Sequence, residues 1–140
     1  MPSPSSLEGR GVIVSCHAAL EFNARGFFID WSAVNFYRDE VLTGKAVIER
    51  VFETDSVLAY HHTKPFYPVH IVVIPKALVD SLVTIQDDAL LLQLMHVVQR
   101  VAQDVLKTHG AARVITNLGE YQESKHLHFH VVHGTPLRSA

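Results

Sequence analysis

The chain has a single cysteine, Cys16, among 140 residues. An intrachain disulfide needs two thiols, as does a Cys-x-x-Cys metal knuckle, so neither belongs to this sequence, and a reducing compartment suits it. Cys16 itself reads as a small buried apolar residue. No apolar run approaches the ~18 to 20 residues of a membrane-spanning helix. The opening stretch, MPSPSSLEGRG, lacks a basic start followed by an apolar core, so it does not read as a signal peptide, and the cytoplasm is the expected location. Charge of one sign is also missing: 12 basic residues face 14 acidic ones, for a formal net charge of −2 and a pI near 6.5. That balance argues against binding to nucleic acid or to an anionic membrane surface. Any phosphate this protein binds is expected to be small and locally recognised.

What is present is the composition of one ordinary domain, 48% hydrophobic and 19% charged, long enough to bury a core. Residues 1–11 are rich in Pro, Ser and Gly and read as a flexible arm, with a single domain over 12–140. VIVSCHAALEF suggests a strand. SAVNFYRDEVLTGK suggests a short helix, with Ser32 as N-cap, apolar residues at helical spacing (Val34, Tyr37, Val41) and Gly44 at its end. VIERVFET and SVLAYHH are β-type runs, TKPFYP is a Pro-bounded connection, and VHIVVIPK is β-branched enough for a central strand. Thr84, with Asp87 three residues on, is the expected N-cap of a long amphipathic helix whose apolar residues recur every three or four positions up to Gly110. ARVITNL and HLHFHVV then supply the last strands. The expectation is an α+β fold: an antiparallel meander sheet of about five strands with one long and one short helix. His96 and His109, in and near the end of the long helix, read as exposed or capping residues.

The run KHLHFHVVHG concentrates four of the chain's ten histidines. In a strand, side chains alternate faces, so His126, His128 and His130 share one face while Leu127, Phe129 and Val131 share the other. A metal is the first use to weigh. The outer two of these histidines are separated by ~13 Å of extended backbone, which is poor for one ion, and nothing nearby completes a four-ligand shell. Nucleophilic attack on phosphorus suits the row better. A neutral imidazole forms a phosphorus–nitrogen bond that water later breaks, while its neighbours donate to the developing charge. Such chemistry needs no metal and no cofactor.

HLHFHVV resembles the motif of the histidine triad (HIT) family, His-φ-His-φ-His-φ-φ with φ apolar, at all seven positions. DSVLAYHHTKPFYPVHIVVIPK, the long helix and VITNLGEYQESKHLHFHVV also follow the family's order, so the resemblance spans residues 36–134. It implies an enzyme in which His128 is the nucleophile, flanked by His126 and His130. Asn117 and Gln122 match polar positions around the α-phosphate, Tyr60 an aromatic position near the nucleoside, and His70 a histidine near the triad. For Tyr60 a core role and a pocket role are both open, and for His70 a structural hydrogen bond is the first expectation. The implied substrates are purine nucleotides or their conjugates, with nucleoside phosphoramidates ahead of dinucleoside polyphosphates. A slow-turnover nucleotide-binding regulatory module is the alternative, and a homodimer is implied.

Two positions depart from the family pattern. His62 stands where many relatives have an aspartate that grips the ribose hydroxyls. Glu123 stands three residues before the first triad histidine, where Ser or Thr is frequent, and its carboxylate would repel a phosphate placed beside it. The Cys-x-x-Cys of zinc-containing relatives is absent.

Overall fold

The computed structural model describes residues 20–22, 28–30 and 36–138. The expected arm, Cys16 and the Ser32 cap lie outside the described residues. Of the first expected strand, β1 (Leu20–Phe22) is described, and it pairs antiparallel with β2 (Phe28–Asp30) in a separate two-stranded ribbon. The short helix is a wide π-type turn, α1 (Phe36–Val41), whose bonds reach five residues back, as in Leu42 N–H to the Tyr37 carbonyl at 2.8 Å. Gly44 ends this segment with φ 81°, a left-handed conformation that glycine adopts without steric cost.

The main sheet contains β3 (Glu49–Glu53), β4 (Val57–His61), β5 (Val69–Pro75), β6 (Arg113–Ile115) and β7 (Phe129–His133) in the order β3-β4-β5-β7-β6, every pair antiparallel. The expected antiparallel sheet is therefore present, with one refinement. The meander holds through β5, the long helix α2 (Asp88–His109) then crosses over, and β7 returns to the centre while β6 takes the edge. β5, flanked on both sides, is the β-branched VHIVVIP run, buried at every position but its first.

The cap of α2 differs from expectation. Asp87, not Thr84, is the N-cap, and its carboxylate accepts from Leu90 N–H at 3.0 Å. Thr84 instead closes the preceding turn, its hydroxyl accepting from Ser81 N–H at 3.0 Å. Both residues suit a cap by type. An aspartate one residue before the helix also complements the helix dipole, which explains why the start falls later. Gly110, with φ 83°, closes the other end as expected.

The sheet has two differently used faces. Leu94, Val97, Val98, Val101 and Val105 of α2 pack on Val57, Ala59, Ile71, Val73, Leu127, Phe129 and Val131. Burying each large aliphatic side chain in that layer contributes about 1.5–3 kcal/mol. The opposite face carries a smaller cluster, Tyr37 and Val41 of α1 on Leu58, Tyr60, Val72 and Ile74. Register places Tyr60, Val72 and His130 on one rung across three strands, and Ala59, Val73 and Phe129 on the next. Successive rungs point to opposite faces, so the helix side is apolar core and the histidines emerge on the α1 side. Among the described residues no helix is long and apolar enough to cross a membrane.

Candidate active site

β7 begins at Phe129, later than the motif suggested, so His126 and His128 lie on the approach to the strand, His126 at the end of a bend. The alternation survives nonetheless. Leu127 and Phe129 are in the core, and Leu127 N–H is held by the Val79 carbonyl at 2.7 Å. The three triad rings turn the other way, with His128 and His130 meeting edge to face at a centroid distance of 4.9 Å.

Hydrogen-bond partners determine which nitrogen of each ring carries the proton. His126 Nε2 lies 2.8 Å from the Pro75 carbonyl, and His128 Nδ1 lies 2.7 Å from the His126 carbonyl. A carbonyl only accepts, so both nitrogens donate. In neutral His128 this leaves the lone pair on Nε2. The carbonyl of His128 is in turn held by the Thr116 hydroxyl at 2.9 Å. His70 Nδ1 accepts from Phe66 N–H at 3.0 Å, so its proton is on Nε2, which donates to His130 Nδ1 at 2.8 Å. Neutral His130 therefore carries its own proton on Nε2. A lone pair and an N–H donor thus sit on two rings whose centroids are 4.9 Å apart.

Burial keeps these rings neutral. His128 is 5% exposed, and desolvation pushes its pKa down to about 4. The His126 carbonyl opposes that shift, while the His126 and His62 imidazoles add to it. His130 goes lowest, to about 2, through burial and then the nearness of His128, His70 and His62. His70 falls to about 4 by burial and by the neighbouring His62 and His128. All are uncharged at neutral pH, the state a nucleophilic imidazole requires.

The remaining expected site residues are placed as follows. His62 packs tilted against His70 at 4.4 Å and stacks on His130 at 6.1 Å, and its Nδ1 accepts from Lys64 N–H at 2.9 Å. Tyr60 is 1% exposed within the smaller cluster, its hydroxyl without a hydrogen-bond partner among the described residues. Gln122 is 3% exposed, and its amide donates to the Asp80 carbonyl, tying the approach to β7 to the loop after β5. Asn117 is half-buried just beyond β6, one residue after Thr116. Glu123 is exposed and close enough to Tyr37 to reinforce the upward push that burial gives that phenol.

Two participants were missed in the sequence. Tyr37 packs its ring 4.4 Å from that of His128 and is itself 5% exposed; the sequence marked it only as an apolar helix position. Thr116 had no signal beyond its place beside Asn117.

Metal chemistry was weighed for the triad, yet the structure assembles a different trio. Ligand nitrogens of His62, His70 and His130 lie within 4.8 Å of one another. The hydrogen-bond pattern resists a cation there. His62 Nδ1 and His70 Nδ1 both accept backbone N–H groups, so the other nitrogen of each neutral ring is protonated. An ion would have to displace those protons and forfeit the backbone bonds.

Residues 44–137 match the model of the HIT domain family. An uncharacterized HIT-like protein of Azospirillum brasilense is 34% identical over 102 residues, covering 69% of this chain and 84% of its own. A histidine triad protein from Clostridium difficile, whose structure is solved at 0.95 Å resolution, is 33% identical with a TM-score of 0.60, covering 72% of this chain and 91% of its own. A HIT family hydrolase from Legionella pneumophila is 25% identical with a TM-score of 0.61, covering 69% and 89%.

Proposed function

Because this chain belongs to the HIT domain family, we propose that it is a nucleotide-binding hydrolase or transferase in which His128 attacks the α-phosphate of a nucleoside phosphoramidate or related mononucleotide conjugate. The observation that carries this reading is the bond from His128 Nδ1–H to the His126 carbonyl, which presents an Nε2 lone pair beside the Nε2–H of His130.

In the first step a bond forms between His128 Nε2 and phosphorus. The bond from phosphorus to the leaving atom breaks, and the leaving group departs with that electron pair and takes a proton from solvent. The His128 ring becomes a cation, phosphorylated on Nε2 and protonated on Nδ1, and the His126 carbonyl accepts a stronger hydrogen bond from it. That interaction grows as charge develops, which is the condition for lowering a barrier. His130 Nε2–H donates to a phosphoryl oxygen. Water then attacks phosphorus and loses a proton, and His128 leaves neutral. The protein is proposed to act as a cytoplasmic homodimer on purine nucleotides, with dinucleoside polyphosphates as the second substrate class.

One observation favours a slower module. His128 is 5% exposed with the Tyr37 ring packed 4.4 Å from its own, which limits the access of a substrate to the nucleophile. Incubation with AMP and GMP conjugates separates the readings. Release of the leaving group, with labelled nucleotide trapped on the native protein and absent from His128→Ala, supports the enzyme. Tight binding without release supports the module.

A further inference from the structure

The end of the chain returns to the site. After β7 it turns at Gly134, where φ is 100° and a Cβ would come within 2.7 Å of the Pro68 ring. Only glycine fits that turn, and it sends residues 135–138 back across the loop between β4 and β5. Leu137 N–H donates to the Phe66 carbonyl at 2.7 Å, Arg138 Nη2 donates to the Lys64 carbonyl at 3.0 Å, and the guanidinium sits 4.2 Å over the Phe66 ring. Three contacts on two residues hold an exposed arginine in place. Phe66 and Lys64 are the residues whose N–H groups set the protons of His70 and His62, so the strap and the site are built on one loop.

Arg138 keeps its charge available. Its partners are a carbonyl and a ring, and no carboxylate pairs with it among the described residues. His62, half-buried near it, has its proton on Nε2, which meets no hydrogen-bond acceptor among the described residues. The guanidinium is near enough to add to the burial that lowers the pKa of His62 to about 4, which keeps the ring a neutral donor. Glu123, by contrast, lies at the Tyr37 end of the row. The row of histidines therefore runs from a carboxylate to a guanidinium.

The geometry points to an anion subsite at the Arg138 end, where Arg138 and His62 Nε2–H receive a second anionic group of the substrate, distinct from the phosphate that His128 attacks. Both groups are donors, so the ligand must be an acceptor, and a guanidinium fork suits phosphate or carboxylate oxygens. This deepens the proposed function and rests on it for the attacked phosphate. The substrate class becomes a nucleotide conjugate with two separate anionic groups.

Calorimetric binding of AMP, ADP and adenosine 3′,5′-bisphosphate to the native chain, Arg138→Ala, Arg138→Lys and His62→Gln tests the subsite. The native chain is expected to bind ADP or the bisphosphate about tenfold tighter than AMP, the scale of one charge-assisted hydrogen bond. Which of the two gains shows whether the second anion extends from the 5′-phosphate or from the ribose. Arg138→Ala should remove the advantage while AMP affinity stays within about twofold, His62→Gln should reduce it, and Arg138→Lys should retain part of it. Equal native affinity for all three ligands overturns the subsite. So does an advantage that persists in Arg138→Ala, or a loss shared equally by AMP. An Arg138-dependent advantage in a chain that turns over no conjugate would sink the proposed function and leave the subsite standing. Turnover through His128 with no Arg138 dependence would do the reverse.

Discussion

His70 Nε2 donates to His130 Nδ1 at 2.8 Å, and this bond from β5 to β7 determines which nitrogen of His130 carries the proton. Val132, not His130, is the backbone partner of His70, so the side chains reach diagonally across one face between rungs two apart. Replacing His70 with leucine frees His130 to place its proton on either nitrogen. We expect kcat to fall by about 10- to 100-fold with KM little changed, a loss up to that of one preorganised hydrogen-bond donor to developing charge. Steady-state kinetics check this, and an unchanged kcat would remove His70 from the mechanism.

His128→Ala and His128→Asn should abolish turnover and leave nucleotide affinity largely intact, because each removes the attacking atom and few ground-state contacts. Single-turnover assays beside equilibrium binding separate the two quantities. A native-like rate in either variant would move the nucleophile elsewhere.

Stability should depend on pH through the buried histidines. The folded-state pKa of His128 is about 4 against about 6.5 unfolded, so between these values the unfolded chain binds more protons than the folded one. Stability is then fully present above pH about 6.5 and lost as pH falls toward 4, by on the order of 3 kcal/mol for His128 alone. Urea melts at pH 7.5 and 4.5 measure the loss, and His128→Asn should diminish it. A native midpoint that does not move with pH contradicts the burial argument.

Activity is expected to survive exhaustive chelation, since attack, charge stabilisation and departure are assigned to imidazoles and water. Assays with EDTA, then with zinc or magnesium restored, decide this. Complete loss that zinc or magnesium rescues would mean that an ion takes part.

Glu123→Ser should narrow the preference for amine conjugates over dinucleoside polyphosphates. The carboxylate is exposed, so the change should be about two- to fivefold, as for a solvent-screened charge. Ratios of kcat/KM for charged and neutral leaving groups provide the check. Equal narrowing for neutral leaving groups would indicate bulk rather than charge, and a native preference for polyphosphates would place Glu123 outside the leaving-group path.

The pattern of residues by itself determined the parts of this protein that follow from local periodicity. Alternation in HLHFHVV separates the triad from the core, the three-to-four repeat over Leu94–Val105 specifies one helix packed on the sheet, and Gly44 and Gly110 mark stops that require a left-handed residue. These are short-range consequences of backbone geometry. Contacts between distant segments were decided only by the tertiary structure. His130 owes its tautomer to a histidine 60 residues earlier, and His126 is held by a carbonyl 51 residues earlier. Tyr37 reaches His128 because α1 folds over the face opposite α2, which no spacing within α1 encodes. Arg138 carried no signal in the sequence. It comes near enough to His62 to act on its charge because Gly134 turns the chain beside Pro68, so its charge acquires a position only once β4, β5 and β7 are paired.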